Sequence, residues 1–336
     1  MISSEFDLIK KIKLNAQSHN NNLVMGIGDD CAVLEKDQET YFLVSTDCLI
    51  ESIHFNLRYF SFKELGQKAA AVNFSDIAAM GGTPLHLFIS LGIPKTIDQN
   101  DIQEFYLGLN DYANKHHVTI AGGDLSKSPK HFFININIIG EVKKDNIKLR
   151  SQAKAEDKLY VSGNIGSSFI GLKLLERKHD EINAFTKALK TPQPPVNFAQ
   201  KLSTIRDVHA MIDISDGLIQ DLSHILNDSK LGAIINFDEI PTETDFKNKC
   251  KKLRLNVLES LLTGGEDYQL LFSMSKKGIK SLSPKEQNQI FCIGKLIDLK
   301  SQQLDIENYP YPNIIIRDQA GGEYKLDKTG WDHFGR

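Results

Sequence analysis

At 336 residues the chain exceeds what one typical core supports, and two domains are the natural expectation. A net charge of −3, from 40 basic and 43 acidic side chains, argues against a surface built to neutralise nucleic-acid phosphates. No uncharged apolar stretch is long enough to span a bilayer, and Cys31, Cys48, Cys250 and Cys292 show neither CxxC nor metal-ligand spacing, so they read as reduced thiols of a soluble cytoplasmic protein.

Along the chain, "MISSEFDLIKKIKL" predicts an amphipathic helix, and without an uninterrupted apolar core it does not read as a signal peptide. A strand is expected at 41–46, then helices near 64–80 and 98–115 and a strand at 117–122. In "FININII" Ile134, Ile136 and Ile138 alternate with Asn135 and Asn137, the period of a strand with two unlike faces. The polar stretch 141–157 marks a domain boundary, dividing the chain into 1–145 and 146–336. Beyond it come a strand at 158–163 and a helix near 167–178. "KTPQPPVNF" follows, whose three prolines cannot continue a helix but can open the next, near 196–208. A helix near 217–227 and strands at 233–237, 268–272 and 290–294 complete the pattern. The basic stretch "FKNKCKKLRL" reads as a solvated helix face. Strands and helices mix throughout, so the class is α/β, or mixed α+β.

The chemistry lies in where the aspartates sit. Asp30 follows the glycine-spaced turn of "GIGDDCAVL", where nothing local neutralises the adjacent Asp29. Asp47 lies at the end of "YFLVSTD", and Asp124 ends "TIAGGD". Asp213 and Asp216 frame "DISDGL", a strand turning into a helix, and Glu266 with Asp267 precedes another strand. Strand ends and glycine turns are where α/β proteins build their sites. Singly, each motif also reads as a turn or a helix cap. Asp76 resists that reading: it sits among Phe74, Ile77, Ala78 and Ala79 near the end of an alanine-rich helix, facing the negative end of the helix dipole. A solvent-facing helix edge would avoid the conflict, though tight packing through the alanines opposes it; burying Asp76 unpartnered would cost several kcal/mol or force protonation, and a bound cation would resolve the conflict. If Asp30, Asp47, Asp76, Asp124, Asp213 and Asp216 converge, they require divalent cations. An all-oxygen set on loops suits Mg²⁺, with Ser45 and Thr46 as neutral ligands beside Asp47. Such a site fits polyphosphate, hence phosphoryl transfer or nucleotide binding. The P-loop, protein-kinase, GxSxG and HExxH signatures are all absent.

The ordered set "EFDLI", "GIGDDCAVL", "STDCLIESIHF", "AVNFSDIAAMGG", "AGGD", "LRSQAKAEDKLYVSG", "DISDGL", "GGEDYQLLF" and "GWDHFG" resembles the thiamine-monophosphate kinases of the aminoimidazole-ribonucleotide-synthetase-like superfamily, from Glu5 to Gly335. The resemblance implies ATP-dependent conversion of thiamine monophosphate to thiamine diphosphate. It implies a two-domain fold whose N-terminal sheets pair across a homodimer. It implies several magnesium ions on Asp30, Ser45, Thr46, Asp47, Asp76, Asp124, Asp213 and Asp216, and ATP on Gly123, Asp124, Arg150 and Ser215. It assigns the substrate to His54, Glu266 and Trp331, the chain's only tryptophan. Arg150 can fork onto phosphate oxygens. Trp331 either anchors its polar tail or stacks on a cationic ring, and the resemblance favours stacking. The acceptor phosphate is already anionic, so direct in-line transfer needs no covalent nucleophile and no strong base. Asp29 stays open, as a supporting group or a turn former.

The sequence departs from the family pattern at Leu125, where threonine is common, at Gln152, where glycine is usual, and at Gln269, where an acid is common. The arginines that often flank the prolines of "TPQPP" are missing too. Related alternatives fit less well. A selenophosphate synthetase needs a reactive cysteine near a glycine-rich N-terminus, and a hydrogenase-maturation dehydratase a C-terminal one. Aminoimidazole ribonucleotide synthetase lacks the "GWDHF" tail. A catalytically silent nucleotide or metal sensor is opposed by the intact aspartates.

Overall fold

The structure, a computed structural model, describes residues 4–16, 20–179, 181–299, 313–326 and 330–334. The N-terminal half begins with helix α1 (Glu5–Asn15) and builds a sheet from β1 (Leu23–Met25), β2 (Ala32–Glu35), β3 (Thr40–Ile50), β4 (Thr83–Ile93), β5 (Thr119–Lys127) and β6 (Phe133–Lys143), in the order β1-β2-β3-β6-β4-β5. Only β4 and β5 pair in parallel, through a crossover containing α3 (Gln99–Lys115). The alternation in β6 is obeyed: Ile134, Ile136 and Ile138 are buried, and the intervening asparagines are half-buried. Strand β4 was not expected; it pairs with β6 from Thr83 to Gly92 and lies between β6 and β5.

Helix α2 (Phe62–Ala79) opens on a capping box, in which Ser61 accepts from the Glu64 N–H and Glu64 accepts from the Ser61 N–H. Of its 18 residues, 13 are buried, so it behaves as an interior helix rather than an amphipathic surface one. One reason is Gly66 against Gly108 of α3. A Cβ on Gly66 would lie 2.0 Å from the Phe105 carbonyl oxygen, and one on Gly108 would lie 1.9 Å from that of Lys63. Only glycine permits that backbone approach.

The C-terminal half carries β7 (Lys158–Val161), β8 (Val208–Asp213), β9 (Gly232–Asn236), β10 (Leu270–Met274), β11 (Phe291–Ile297), β12 (Ile314–Arg317) and β13 (Glu323–Tyr324), ordered β13-β12-β9-β11-β7-β10-β8. Its helices include α4 (Ser167–Glu176), α5 (Ala184–Lys190), α6 (Val196–Ser203), α7 (Leu218–Ser229), α8 (Phe246–Leu253) and α9 (Val257–Leu262). The basic stretch forms α8, which buries Phe246, Cys250 and Leu253 and turns most of its lysines outward, as its spacing suggested. From Ala210 the side chains of β8 alternate: Ala210 and Ile212 join a core inside this half, while Met211 between them joins the core that contains α2. That second core runs unbroken from Leu65 and Phe74 to Leu202 and Phe272, so α2 is sandwiched between the halves. Mixed α/β architecture is thus as expected. Among the described residues no helix is long and apolar enough to cross a membrane.

Candidate active site

A cleft of about 1590 Å³ opens where α2 and the end of β3 face the end of β8, and its walls include Asp47, His54, Asp76, Asp213, Asp216, Glu266 and Trp331. Beside it, carboxylate oxygens of Asp30, Asp76 and Asp213 lie within 4.8 Å of one another. Three distant segments thereby meet. The "GIGDD" loop is tied to the end of α2 by the Cys31 N–H, which donates to the Met80 Sδ at 3.1 Å. Asp76 arrives on α2, and Asp213 ends β8. The Ser45 hydroxyl donates to Asp76, and the Ser75 hydroxyl donates to Asp213 at 2.7 Å.

The electrostatics follow from burial. Desolvation, aided by the charge of Asp30, pushes the Asp213 carboxyl up to about 8. Burial takes Asp47 up to about 6, against the lowering effect of its hydrogen bond with Asp76. Asp76 is driven well above the carboxylate range, by burial first and then by Asp47, Asp213 and Asp30. These acids therefore hold protons that ordinary aspartates lose.

Arg150 supplies the nearby positive charge. Its guanidinium pairs with Asp30, its Nε lies 3.5 Å from the Asp29 Oδ1, and its backbone N–H donates to the Asp29 Oδ2 at 3.1 Å. The Asp30 N–H donates to the Asp29 Oδ1 at 3.0 Å, so Asp29 both closes the turn and holds Arg150. Burial, then the charge of Asp30, pushes Asp29 up to about 7 even so. The Asp30 Oδ2 is buried without a hydrogen-bond partner. An acceptor-only oxygen stranded beside two more carboxylates is the donor set that a hard divalent cation completes, so the residues fit magnesium.

Asp221 escaped the sequence reading. Its Oδ2 accepts the backbone N–H groups of Ser215, Asp216 and Gly217 at 3.0, 3.2 and 3.1 Å, bracing the turn. That turn then organises its surroundings: the Ser215 carbonyl accepts from the Glu266 N–H at 2.7 Å, and the Asp216 carbonyl accepts from the Trp331 N–H at 3.0 Å. Burial, then the charge of Glu5, raises Asp216 to about 7.

Toward the other end of the cleft the charges are paired. Glu266 accepts from the Lys68 ammonium at 2.6 Å, and the Lys68 side chain is fully buried. His54 Nδ1 accepts from the Ile50 N–H at 3.0 Å, which leaves the proton of the neutral ring on Nε2, 3.4 Å from the His333 ring. Burial, with His333 and Lys68 adding to it, lowers His54 to about 4, so near neutral pH it is an uncharged donor. Trp331 is 51 % exposed and stands edge-on to His333. Its tail is latched to the start of α1: Asp332 accepts from the Glu5 N–H, and Glu5 accepts from the His333 N–H.

Not every expected residue joins this constellation. Ser45 and Asp47 share the face of β3 turned toward α2. Thr46 is out of phase in the pleat, its hydroxyl 3.2 Å from the Asn135 Oδ1. Gly123 and Asp124 lie exposed on β5, at the open edge of the sheet, away from the acid cluster. Leu125 is exposed beside them, Gln152 lies in a surface turn after Arg150, and the Gln269 side chain accepts from the Ser162 hydroxyl at 3.0 Å.

Comparison with known proteins identifies the family. The family described as AIR synthase related protein, N-terminal domain, matches residues 28–142, and its C-terminal-domain counterpart matches 154–297. The thiamine-monophosphate kinase of Bacillus subtilis is 35 % identical over 336 residues, covering 98 % of this chain and 99 % of its own. That of Escherichia coli K12 is 32 % identical over 342 residues, covering 99 % of each. A solved structure described as AaThiL complexed with AMPPCP and TMP superposes with a TM-score of 0.83 at 29 % identity, covering 98 % of this chain and 97 % of that one. The chain belongs to the thiamine-monophosphate kinase family of the AIR synthase related proteins.

Proposed function

We propose that this enzyme transfers the γ-phosphoryl group of ATP directly to the phosphate of thiamine monophosphate, giving thiamine diphosphate and ADP. The observation that carries the reading is the meeting of Asp30, Asp76 and Asp213 beside a cleft, in a chain of this family. Asp30, Ser45, Asp47, Asp76, Asp213 and Asp216 would hold magnesium, which when bound would offset the charge of the phosphates. For Thr46 and Asp124 the support is the motif match alone. Gly123, Asp124, Arg150 and Ser215 are assigned to ATP, with Arg150 drawn between the nucleotide and its partners Asp29 and Asp30. His54, Glu266 and Trp331 are assigned to the substrate: His54 donates one neutral hydrogen bond, Glu266 accepts one, and Trp331 offers a ring face to the cationic thiazolium. No side chain forms a covalent intermediate; the chain orients two phosphates and limits water.

In this reading residues 1–145 supply most acids and the dimer surface, and residues 146–336 complete the nucleotide and substrate sites. The open edge at β5, with Leu125 60 % exposed, supports pairing of two N-terminal sheets in a homodimer. Four free cysteines and a need for ATP suit a cytoplasmic enzyme. The test is incubation with ATP and Mg²⁺ plus either thiamine or thiamine monophosphate. ADP should appear only with the monophosphate; release with thiamine alone, or no release with either compound, overturns the proposal.

A further inference from the structure

We infer that Lys68 is a positioning residue for thiamine monophosphate, acting through Glu266 by holding one carboxylate oxygen so that the other is presented to the substrate's organic end. The inference rests on the reading of Glu266 as a substrate contact, and deepens it.

A lysine with no exposed side-chain surface is rare and costly unless its charge is paired. Lys68 meets that cost across the interface between the two halves: its ammonium reaches Glu266, 198 positions away, at 2.6 Å, and sits 5.4 Å from the centre of the Phe60 ring. Only the Glu266 Oε1 is engaged there, and the carboxylate side chain keeps 28 % of its surface open, on the wall of the cleft. The backbone of Glu266 is fixed as well. Its φ is +66°, in the left-handed region that a non-glycine residue rarely adopts, and its N–H is held by the Ser215 carbonyl. Strain tolerated at one residue, and a buried cation spent on its side chain, both serve to aim a single carboxylate.

The placement of Lys68 sets where that carboxylate acts. Lys68, Val72 and Asp76 follow one another at four-residue spacing on one face of α2, and Val72 and Asp76 line the cleft. Eight residues of helix separate Lys68 from Asp76 by about 12 Å along the axis. Lys68 and Asp76 are therefore held apart by one rigid interior helix, and the Lys68 side chain carries its ammonium to Glu266. A substrate anchored by its phosphate beside the acids extends its organic part toward Glu266, and the pair at Lys68 fixes the far limit of that reach.

Steady-state kinetics on the full chain test this. Lys68→Met is expected to raise KM for thiamine monophosphate by ~10-fold while kcat and KM for ATP stay within about twofold, because uniform binding energy is lost and no transition-state contact is touched. Glu266→Gln should raise the same KM, and Lys68→Arg should restore part of the loss. In the double variant Lys68→Met/Glu266→Gln, which leaves no orphaned charge if Lys68→Met alone fails to fold, KM should match that of Glu266→Gln within about twofold. A further tenfold rise in the double variant would overturn action through Glu266. A folded Lys68→Met enzyme with wild-type KM, alongside a Glu266→Gln enzyme with raised KM, overturns this inference alone. Wild-type KM in Glu266→Gln removes the reading of Glu266 as a substrate contact, and the inference with it.

Discussion

The two ends of the cleft solve the problem of buried charge in opposite ways. At one end Asp30, Asp47, Asp76 and Asp213 crowd together with Arg150 as the nearby cation, and burial keeps several of their carboxyls protonated far above the ordinary range. At the other end Glu266 is matched by Lys68, and His54 is held neutral. The first arrangement leaves a buried carboxylate oxygen without a partner in the chain, as a cation site would; the second is paired within the chain. In the proposed reaction, chemistry on metal-bound phosphate is assigned to the first end and recognition of the substrate's shape to the second.

The contrast is broken most severely at Asp76. Asp76→Asn should abolish turnover, by roughly 10³-fold or more, since it removes a charge that only the metal-loaded site exploits. The metal-free variant should fold, and melt no lower than wild type, because a carboxyl that the metal-free fold must keep protonated has gone. Near-normal activity at limiting Mg²⁺ would contradict the metal assignment. Arg150→Met probes the same end with the opposite sign. Leaving Asp29 and Asp30 without their guanidinium should cost about 3–5 kcal/mol of metal-free stability, measured by denaturant unfolding. Unchanged stability there would mean that the pairs with Asp29 and Asp30 carry no weight.

A milder probe is pH. Asp47, Asp29, Asp216 and Asp213 have folded-state values near 6, 7, 7 and 8, all above the unfolded value of 3.8. A raised acid binds its proton more tightly when folded, so its stabilisation is complete below about pH 4 and is lost as pH climbs through the folded value. In EDTA the melting temperature should therefore fall between pH 5 and 8. Added Mg²⁺ should restore stability, more at pH 8 than at pH 6, with release of protons. Asp267, which burial raises to about 7 while it accepts from the Gly166 N–H at 2.6 Å, has the same sign but stands outside the acid cluster, so its share of the decline should survive Mg²⁺. A pH-independent melt in EDTA would dissolve the contrast between the two ends.

Much of this was legible in the chain. The helix expected over 64–80 runs from Phe62 to Ala79, and the conflict read at Asp76, a carboxylate among apolar neighbours, is realised in the fold. The same reasoning applied to "LGQKAAAV" would have flagged Lys68, a cation in an equally apolar stretch. What escaped did so for physical reasons. Strand β4 did leave a signal, apolar residues at Leu85, Leu87, Ile89, Leu91 and Ile93 in period two, but Pro84, Gly92 and the out-of-phase Phe88, 37 % exposed, weaken the pattern. The partner of Asp29 and Asp30 lies 120 or more positions away at Arg150, where no local rule reaches. Asp221 did leave a signal, an acid in the first turn after "SDG", where a carboxylate can collect free N–H groups. The helix expected to reach 208 stops at Ser203, making room for β8 to start at Val208 and bring Asp213 to the cleft.

The smallest expected effect lies at the paired end. Trp331 is half exposed, and its backbone N–H, rather than its ring, ties the tail to Asp216, so Trp331→Leu should leave the melting temperature nearly unchanged. Stacking of a cation on an exposed indole contributes about 1 kcal/mol, which corresponds to a KM for thiamine monophosphate raised by ~5-fold at unchanged kcat. Trp331→Phe, which keeps a weaker ring face, should fall between. The pH–stability curve of the Trp331→Leu protein in EDTA should overlay that of wild type, because no carboxyl of the acid cluster loses a neighbour. A fall in kcat as large as that in Asp76→Asn would mean that the ring helps to align the reacting phosphates, and the division of the cleft into a reacting end and a recognising end would have to be abandoned.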